Sequence, residues 1–284
     1  MMSFNMRRIP KSILNAIRSL LALLSKITSA PYTLEKGSSI RDVQDFFRLF
    51  NPYRTGYNLV RVGSIGDGGY LIPDDLIGIR NCFSPGVGKT CAFENSLAID
   101  YQIKSWLIDD TVTQPEELHP MNNFQSIKLG IDTVVGESVS LNDWVSNNCP
   151  EEDSELILQM DIETHEWLSL LNSSIDTLAR FRIMVIEFHS LPLVRLPYVL
   201  ERIYSPVINK LLNQFDILHI HPNNSVGTFA HGKNMYPDTL EVTFHRKDRR
   251  KDLIRLTSTR HELDSPCDPN IEELNVDKMF SDPA

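Results

Sequence analysis

The stretch that decides the fold is Cys82-Phe83-Ser84-Pro85-Gly86-Val87-Gly88-Lys89, an apolar run that ends in Gly-x-Gly. A second apolar run, Trp106-Leu107-Ile108, follows and ends at Asp109. Glycines let a backbone turn sharply and approach a ligand closely, and an acid at the end of the next strand can accept hydrogen bonds from both ribose hydroxyls. This order is typical of a βαβ unit that binds a nucleoside cofactor.

The residues after the glycines indicate which nucleoside is expected. The third glycine of the dinucleotide fingerprint is missing, and Lys89-Thr90-Cys91 stands in its place. A phosphate-binding Walker loop also fails, because Phe83 occupies the position of its first glycine. The pattern therefore favours S-adenosylmethionine over NAD or ATP.

Composition bounds the function classes. The chain has 284 residues, 42% hydrophobic content and a net charge of −9, which suits one large α/β domain and argues against a general nucleic-acid binder. Its cysteines have no Cys-x-x-Cys spacing, so they predict neither a structural zinc nor a disulfide framework, and they indicate a reducing cytoplasm. The four are Cys82, Cys91, Cys149 and Cys267.

The chain divides into three parts. Residues 1–57 are expected to be a helical extension, residues 58–263 the α/β domain, and residues 264–284 an acidic, loosely packed tail. Within the extension, residues 7–27 predict a basic amphipathic helix whose apolar run is too short to span a bilayer. This helix packs on its own domain or on a sister subunit in one interpretation, and lies on an anionic membrane surface in the other.

Seven apolar runs predict strands. The first five are separated by enough chain for crossovers, which is the pattern of a parallel sheet with helices on both faces. No convincing helix separates the last two, so we expect the seventh strand to return antiparallel beside the sixth. The predicted strands are 81–87, 105–109, 125–131, 155–161, 182–189, 215–221 and 239–246.

Polar side chains follow the fourth, fifth and sixth strands. Asp161 and Glu163 come directly after the fourth strand, Glu187 and His189 end the fifth, and His221 ends the sixth. Ligands of open α/β sheets bind outside the carboxyl ends of the strands, so we expect these side chains to share one pocket. They suit an acid and a base, and Asp161, Glu163 and Glu187 also suit a hard divalent ion such as Mg²⁺.

These motifs together resemble the FkbM-like S-adenosylmethionine-dependent methyltransferases, in the branch that carries Asp-Gly-Gly-Tyr. The resemblance spans about residues 58–247 and implies a Rossmann-like class I methyltransferase sheet. This chain departs from the family at Thr164, where the family usually has glycine, at Ser84-Pro85, and at Gln159. The matching residues are Arg61-Val62-Gly63 with Asp67-Gly68-Gly69-Tyr70, residues 83–88 with Phe93-Glu94, residues 158–163, Glu166-Trp167, Glu187-Phe188-His189, His221-Pro222-Asn223-Asn224 and residues 240–244.

The resemblance implies methyl transfer to oxygen, on a sugar, a glycan or another small polyhydroxylated acceptor. We assign Gly86, Gly88 and Glu94 to the methionine side of the cofactor and Asp109 to its ribose. Two routes remove the acceptor proton: a general base, with His189 ahead of His221, or a carboxylate-held Mg²⁺. The complete predicted site comprises Asp67, Gly86, Gly88, Glu94, Asp109 and Asp161 for the cofactor, and Asp161, Glu187, His189 and His221 for catalysis.

Two other classes of protein remain open. A non-catalytic Rossmann-like scaffold at a membrane surface would keep the sheet and bind no cofactor. An NAD-dependent sugar-modifying enzyme would bind nicotinamide, although the missing third glycine and the lack of a Tyr-x-x-x-Lys pair argue against it. Affinity for S-adenosylhomocysteine separates these alternatives from a methyltransferase.

Overall fold

The computed structural model describes residues 37–150 and 155–280. The basic helix predicted for residues 7–27 lies outside these ranges. One compact unit begins at Ser38, and it includes residues 38–57, which we had grouped with the extension. Among the described residues, no helix is long and apolar enough to cross a membrane.

The seven-stranded, mostly parallel sheet is confirmed, with helices around it. Its strands, numbered here along the chain, lie in the order β6-β7-β5-β4-β1-β2-β3. The last strand runs antiparallel to both of its neighbours, β5 and β6. The strands are β1 Asn81–Pro85, β2 Lys104–Ile108, β3 Asn123–Gln125, β4 Leu156–Met160, β5 Phe181–Phe188, β6 Phe215–Pro222 and β7 Leu240–Arg246.

The third strand differs from the prediction of one run over residues 125–131. A turn in which the Ile127 amide donates to the Gln125 carbonyl at 2.9 Å ends β3 early. The next residues, Lys128–Gly130, pair with Ser138–Ser140 in a separate two-stranded sheet. An apolar run alone therefore concealed a break between two strands.

Central strands read as continuous apolar runs because they are covered on both faces. All eight residues of β5 are buried, as are all five of β4. A hairpin formed by Leu59–Gly63 and Gly69–Pro73 covers one face of the sheet. There the Thr243 hydroxyl of β7 donates to the Leu71 carbonyl at 2.7 Å. Further two-stranded pairs join Tyr53–Arg54 with Ile254–Arg255 and Thr228–His231 with Asn234–Pro237.

Helix ends follow local capping chemistry. Ser39 and Asp42 form a reciprocal capping box at the helix Ile40–Phe47, and the Ser140 hydroxyl accepts from the Asp143 amide at the helix Leu141–Asn148. The other α-helices are Ala92–Tyr101, Glu166–Asn172, Ile175–Ala179, Pro197–Val199, Ser205–Gln214 and Asp277–Phe280, with 3-10 turns at Leu191–Arg195 and Lys247–Arg249 and a π-helical turn at Leu200–Tyr204.

Aromatic packing ties the helix Ile40–Phe47 to the sheet. Phe47 stacks on Tyr236 at 4.3 Å between ring centroids, and Phe50 meets Phe188 of β5 edge to face. Both phenylalanines are fully buried. This packing is the reason that residues 38–57 belong to the compact unit.

The described part of the predicted tail, residues 264–280, makes specific contacts with the sheet. Asp264 contacts His219 at 2.8 Å and Glu273 contacts His221 at 3.3 Å, so polar pairs hold the segment to β6. Val276 is 2% exposed. Two of the acidic residues that suggested a tail therefore pair with histidines of β6.

Candidate functional site

The Gly86 turn fixes the loop after β1 against the end of β4. Gly86 has φ +84°, and a Cβ atom there would lie 1.6 Å from the Asp161 carbonyl oxygen. The Asp161 amide also donates to the Pro85 carbonyl at 3.2 Å. Any side chain at position 86 therefore collides with backbone. Gly88 has φ +62° and open space beyond it.

Asp109 holds this loop from the end of β2. One carboxylate oxygen accepts from the Gly88 amide at 2.8 Å, and the other accepts from the amide and hydroxyl of Thr111 at 2.7 and 2.6 Å. Asp109 is 9% exposed, whereas Asp110 points to solvent. The predicted ribose acid is thus preorganised, with free lone-pair capacity remaining chiefly on the oxygen beside Gly88.

Glu94 lies in a buried polar chain behind the loop. It contacts the Ser84 hydroxyl, which lies 2.6 Å from the Gln159 side-chain oxygen, and the Gln159 amide donates to the Tyr70 hydroxyl at 3.3 Å. One hydroxyl hydrogen cannot serve two acceptors. Burial raises the pKa of Glu94, and a protonated Glu94 that donates to Ser84 satisfies the chain.

A cavity joins the loop after β1 to the end of β4. Asp67 and Gly68 form one wall, so the Asp-Gly-Gly-Tyr segment is both a hairpin turn and a cap over the cavity. Asp161 lies where the cavity meets the carboxyl end of the sheet. The lining residues are Asp67, Gly68, Tyr70, Gly86, Val87, Thr90, Ala92, Phe93, Glu94, Gln159 and Asp161.

His189, directly after β5, is oriented by a fully buried carboxylate. Its Nδ1 lies 3.0 Å from Glu166 Oε1, and the same oxygen accepts from the amides of Ile162 and Thr164 at 3.0 and 3.3 Å. Glu166 begins the helix Glu166–Asn172 and is 0% exposed. An acid at a helix start is favourable by itself, but this one also holds the His189 ring.

The other ring nitrogen of His189 faces three carboxylates. Its Nε2 lies 3.7 Å from Asp161 Oδ1, 3.7 Å from Glu187 Oε1 and 3.9 Å from Glu163 Oε2. These distances are too long for hydrogen bonds. We call Asp161, Glu163, Glu187 and His189 the acid–histidine cluster. The structure thus brings together three of the four predicted catalytic residues and all three predicted metal ligands.

Burial and like charges shift the titration of this cluster. Burial raises the pKa of Asp161 to about 7, with His189 opposing the shift and Glu166 and Glu163 adding to it. Burial, Asp161 and Glu241 raise the pKa of Glu187 well above its ordinary value. For His189, burial lowers the pKa, but the hydrogen bond with Glu166 and the neighbouring carboxylates outweigh it and raise the pKa to about 10. At neutral pH the imidazole is protonated, and Asp161 is the group near its midpoint.

Left-handed backbone surrounds the cluster. Glu163, Thr164 and Ser190 have φ of +53°, +87° and +59°. For a β-branched residue such as Thr164 this is an outlier. The hydroxyls of Thr164 and Ser190 lie 2.8 Å apart, so a hydrogen bond between them helps to hold the threonine in this conformation. The Tyr204 hydroxyl in the π-helical turn donates to the Ser190 carbonyl at 2.9 Å and helps to hold this backbone.

His221 occupies a neighbouring position, outside the cavity lining. In the sheet register, Glu187, Glu241 and His221 stand side by side on β5, β7 and β6. The His221 Nδ1 lies 3.1 Å from Glu241 Oε2, and its Nε2 lies 3.3 Å from Glu273 Oε1. Burial lowers the pKa of His221, but Glu241 and Glu273 outweigh it and raise the pKa to about 9.

Sequence reasoning missed Glu241, Cys267 and Glu273. A signal existed for Glu241, because it lies in the otherwise apolar start of β7 with the same parity as Thr243. Cys267 and Glu273 carried none, since their contacts depend on how residues 264–276 fold back over β6 and β7.

Comparison with known proteins adds the following. No protein-family model matches the chain, and no curated protein sequence matches it. Among solved structures, a tryptophan-to-alanine mutant of the 16S rRNA (adenine(1408)-N(1))-methyltransferase from Catenulisporales acidiphilia is similar to 68% of this chain and 100% of its own, with 11% identity and a TM-score of 0.27. The fold assignment rests on the strand order of the sheet itself.

Proposed function

We propose that this protein is an S-adenosylmethionine-dependent methyltransferase that methylates a hydroxyl of a small polyhydroxylated acceptor such as a sugar or glycan. The observation that carries the proposal is the contact between Gly86 and Asp161. Through Asp161, which lines the same cavity as Gly86, a nucleoside cofactor bound at the predicted loop would lie beside a proton acceptor of the acid–histidine cluster.

The cavity offers what the cofactor needs. Glu94 and Asp67 line it with carboxyl groups that would face a methionine amine. Gly88, which has open space beside it, and Asp109, which accepts from the Gly88 amide, lie outside this lining and would meet the ribose end. S-adenosylmethionine would supply an already activated methyl group, so the protein must chiefly align the acceptor oxygen and remove its proton. Binding of the cofactor to this loop is an expectation from the resemblance and from this fit.

The cluster supports the general-base route, with Asp161 as the base. A base works best when its pKa is near the operating pH, and Asp161 has a pKa of about 7. His189, held by Glu166 and protonated at neutral pH, then donates to the acceptor oxygen or to Asp161 and positions both. This assignment exchanges the roles that we expected, in which His189 itself removed the proton.

The carboxylate oxygens of the cluster, which accept hydrogen bonds, suit a neutral substrate with several hydroxyls. Carboxylates accept hydrogen bonds from hydroxyls, and they repel anionic acceptors. Glu187 and Asn223, joined by a 2.8 Å hydrogen bond, extend this polar surface from β5 to the end of β6. We therefore expect sugars and glycans to be accepted in preference to phosphorylated substrates.

A divalent ion is the second route. Asp161, Glu163 and His189 bring one ligand atom each within 4.8 Å of one another, and Glu187 adds a third carboxylate. Mg²⁺ there would lower the pKa of a bound hydroxyl and replace the base. The three carboxylates that surround His189 Nε2 without hydrogen-bonding to it favour this route, in which His189 would give up its proton to bind the ion.

Calorimetric titration with S-adenosylhomocysteine tests the proposal, with NAD⁺ as the competing ligand and with or without Mg²⁺. We expect micromolar binding of S-adenosylhomocysteine alone. Gly86→Ala should abolish this binding, whereas Gly88→Ala, which meets open space, should weaken it about tenfold through the left-handed φ alone.

The other outcomes choose among the alternatives. If NAD⁺ binds instead, the protein is a nicotinamide enzyme. If neither ligand binds to a folded sample, the scaffold at a membrane surface becomes the better interpretation. Binding that persists unchanged in Gly86→Ala would place the cofactor elsewhere and contradict the proposed site.

A further inference from the structure

Three different donor atoms meet where residues 264–276 cross the ends of β6 and β7. Glu241 lies between them: its Oε2 is 3.1 Å from His221 Nδ1, and its Oε1 is 3.3 Å from Cys267 Sγ. One ligand atom from each of the three residues lies within 4.8 Å of the others. A nitrogen, an oxygen and a sulfur donor therefore converge on one point.

The surroundings of these donors match those of metal-bound histidine. His221 uses its second nitrogen, Nε2, to contact the carboxylate of Glu273 at 3.3 Å. A metal-ligating histidine almost always gives its other ring nitrogen to a carboxylate or carbonyl, which fixes the ring and its tautomer. Glu273 supplies that contact from the segment that also carries Cys267.

The buried carboxylates at this position would be stabilised by a cation. Glu241 and Glu187 stand directly opposite each other on neighbouring strands, at 7% and 3% exposure. Directly opposed like charges destabilise a sheet, and buried carboxylates are normally paired. Among the described residues, the ion pairs of Glu241 and Glu273 are both with His221, so two carboxylates share one imidazole.

We propose that His221, Glu241 and Cys267 bind a thiophilic divalent cation, Zn²⁺ by preference, with Glu273 as the outer carboxylate that orients His221. Zinc binds cysteine sulfur, histidine nitrogen and carboxylate oxygen with four ligands. With bonds of about 2.0 to 2.3 Å, tetrahedral ligand atoms lie roughly 3.3 to 3.5 Å apart. The three ligand atoms already lie within 4.8 Å of one another, and the two oxygens of Glu241 lie 3.1 Å from His221 Nδ1 and 3.3 Å from Cys267 Sγ, respectively. Cys267 is half-buried, which leaves access for a water molecule as the fourth ligand.

The proposed ion would attach the C-terminal segment to the sheet beside the candidate acceptor site. Cys267 belongs to that segment, while His221 and Glu241 belong to the two strands under it. Glu241 is also the neighbour of Glu187 of the acid–histidine cluster. An ion that neutralises the charge of Glu241 would therefore change the electrostatics of the acceptor site without contacting the acceptor. The cysteine spacing did not predict zinc because the donors are 20 to 46 residues apart along the chain.

Cobalt substitution of the full-length protein tests the site. After removal of metals with a chelator, Co²⁺ is added in the presence of excess Mg²⁺, which competes for the carboxylate-rich acid–histidine cluster. We expect one equivalent of Co²⁺ and a thiolate-to-cobalt charge-transfer band, displaced by Zn²⁺. Cys267→Ala and His221→Ala should lose the band, and Cys149→Ala, a buried cysteine at a helix end, should keep it.

Folding is followed by circular dichroism, and Zn²⁺ should raise the Tm of wild type and not of Cys267→Ala. Absence of the band in folded wild type, or a band that survives in folded Cys267→Ala, overturns the proposal. Because S-adenosylhomocysteine takes no part in this assay, the outcome is independent of the proposed methyl transfer.

Discussion

Buried carboxylates lie at both ends of the central sheet, but they have different partners at the two ends. At the amino end, the carboxylate of Asp75 is surrounded by cations. At the carboxyl end, the carboxylates of Asp161, Glu187 and Glu241 face one another and share histidines. The first arrangement is complete within the chain, and the second is left open to a ligand.

The amino-end network illustrates complete pairing. Arg249 contacts both oxygens of Asp75, at 2.9 and 2.8 Å, and His245 contacts it at 3.1 Å. Arg182 donates to the carbonyls of Asp75 and Ile77 at 2.8 Å each. Burial would raise the pKa of Asp75, but the hydrogen bonds from Arg249 and His245 outweigh it and lower the pKa.

The direction of the pKa shift therefore distinguishes the two ends. Asp75 is held ionised, whereas burial raises the pKa of Asp161 and of Glu187. A carboxylate with a lowered pKa stabilises the fold, and one with a raised pKa costs stability at neutral pH. Such costs concentrate at functional sites. In this chain the carboxylates with raised pKa values, Asp161 and Glu187, lie at the carboxyl end of the sheet.

The largest expected effect comes from breaking the amino-end network. Asp75→Asn should lower the free energy of unfolding by about 3 kcal/mol, because it removes the carboxylate that pairs with Arg249 and that, beside Glu155, pairs with the buried Arg182. Urea unfolding measures this. Asp248→Asn is the matched control, since this exposed acid pairs with Arg246 at the same end and should cost about 0.5 kcal/mol or less. Equal losses in both variants would contradict the distinction.

The matching change at the carboxyl end should have the opposite sign. Glu187→Gln keeps an oxygen for the Asn223 amide and removes a negative charge opposite Glu241, so we expect the protein to gain about 1 kcal/mol. Methyl transfer should fall by about tenfold or more, because Glu187 adjoins His189. Urea unfolding and turnover with a hydroxylated acceptor measure the two effects. A variant that is both less stable and fully active would refute this interpretation.

Low pH and high pH should destabilise the fold through different ends of the sheet. The pKa of His189 rises from 6.5 to about 10 on folding, so its contribution is complete below pH 6.5 and is lost as the pH rises to about 10. Asp75 has a lowered pKa, so its contribution is present above its ordinary value of 3.8 and is lost as the pH falls further.

Thermal unfolding from pH 3 to about 10.5 measures the pH–stability curve, which falls at its acid and alkaline limbs. Single variants show which residue causes each fall. His189→Gln should flatten the alkaline limb, and Asp75→Asn should flatten the acid limb. If His189→Gln leaves the alkaline limb unchanged, the imidazolium at the carboxyl end does not contribute to folding.

The sequence predicts the backbone of the site better than its charge balance. Gly86 and Asp109 could be predicted because a tight turn and a strand end leave local signals, and six of the seven predicted strands match strands of the structure. Asp75, Glu241 and Cys267 were not found. Their partners are far along the chain, so no local pattern records whether an acid meets an arginine or another acid.

Backbone strain gives the smallest expected effect and sharpens the contrast at the level of one residue. Thr164, at φ +87°, lies in the left-handed region, where a Cβ atom costs about 1 to 2 kcal/mol. Thr164→Ala keeps that cost and loses the Ser190 contact, whereas Thr164→Gly loses the contact and relieves the strain. We therefore expect Thr164→Gly to be the more stable of the two variants by about 1 kcal/mol in urea unfolding.

Thr177 is the control, because it lies in the ordinary helix Ile175–Ala179. There we expect the reverse order, with the alanine variant more stable than the glycine variant by a similar amount. If alanine is also favoured at position 164, the left-handed turn relaxes in solution, and the backbone between Asp161 and Glu166 then contributes no strain to the site.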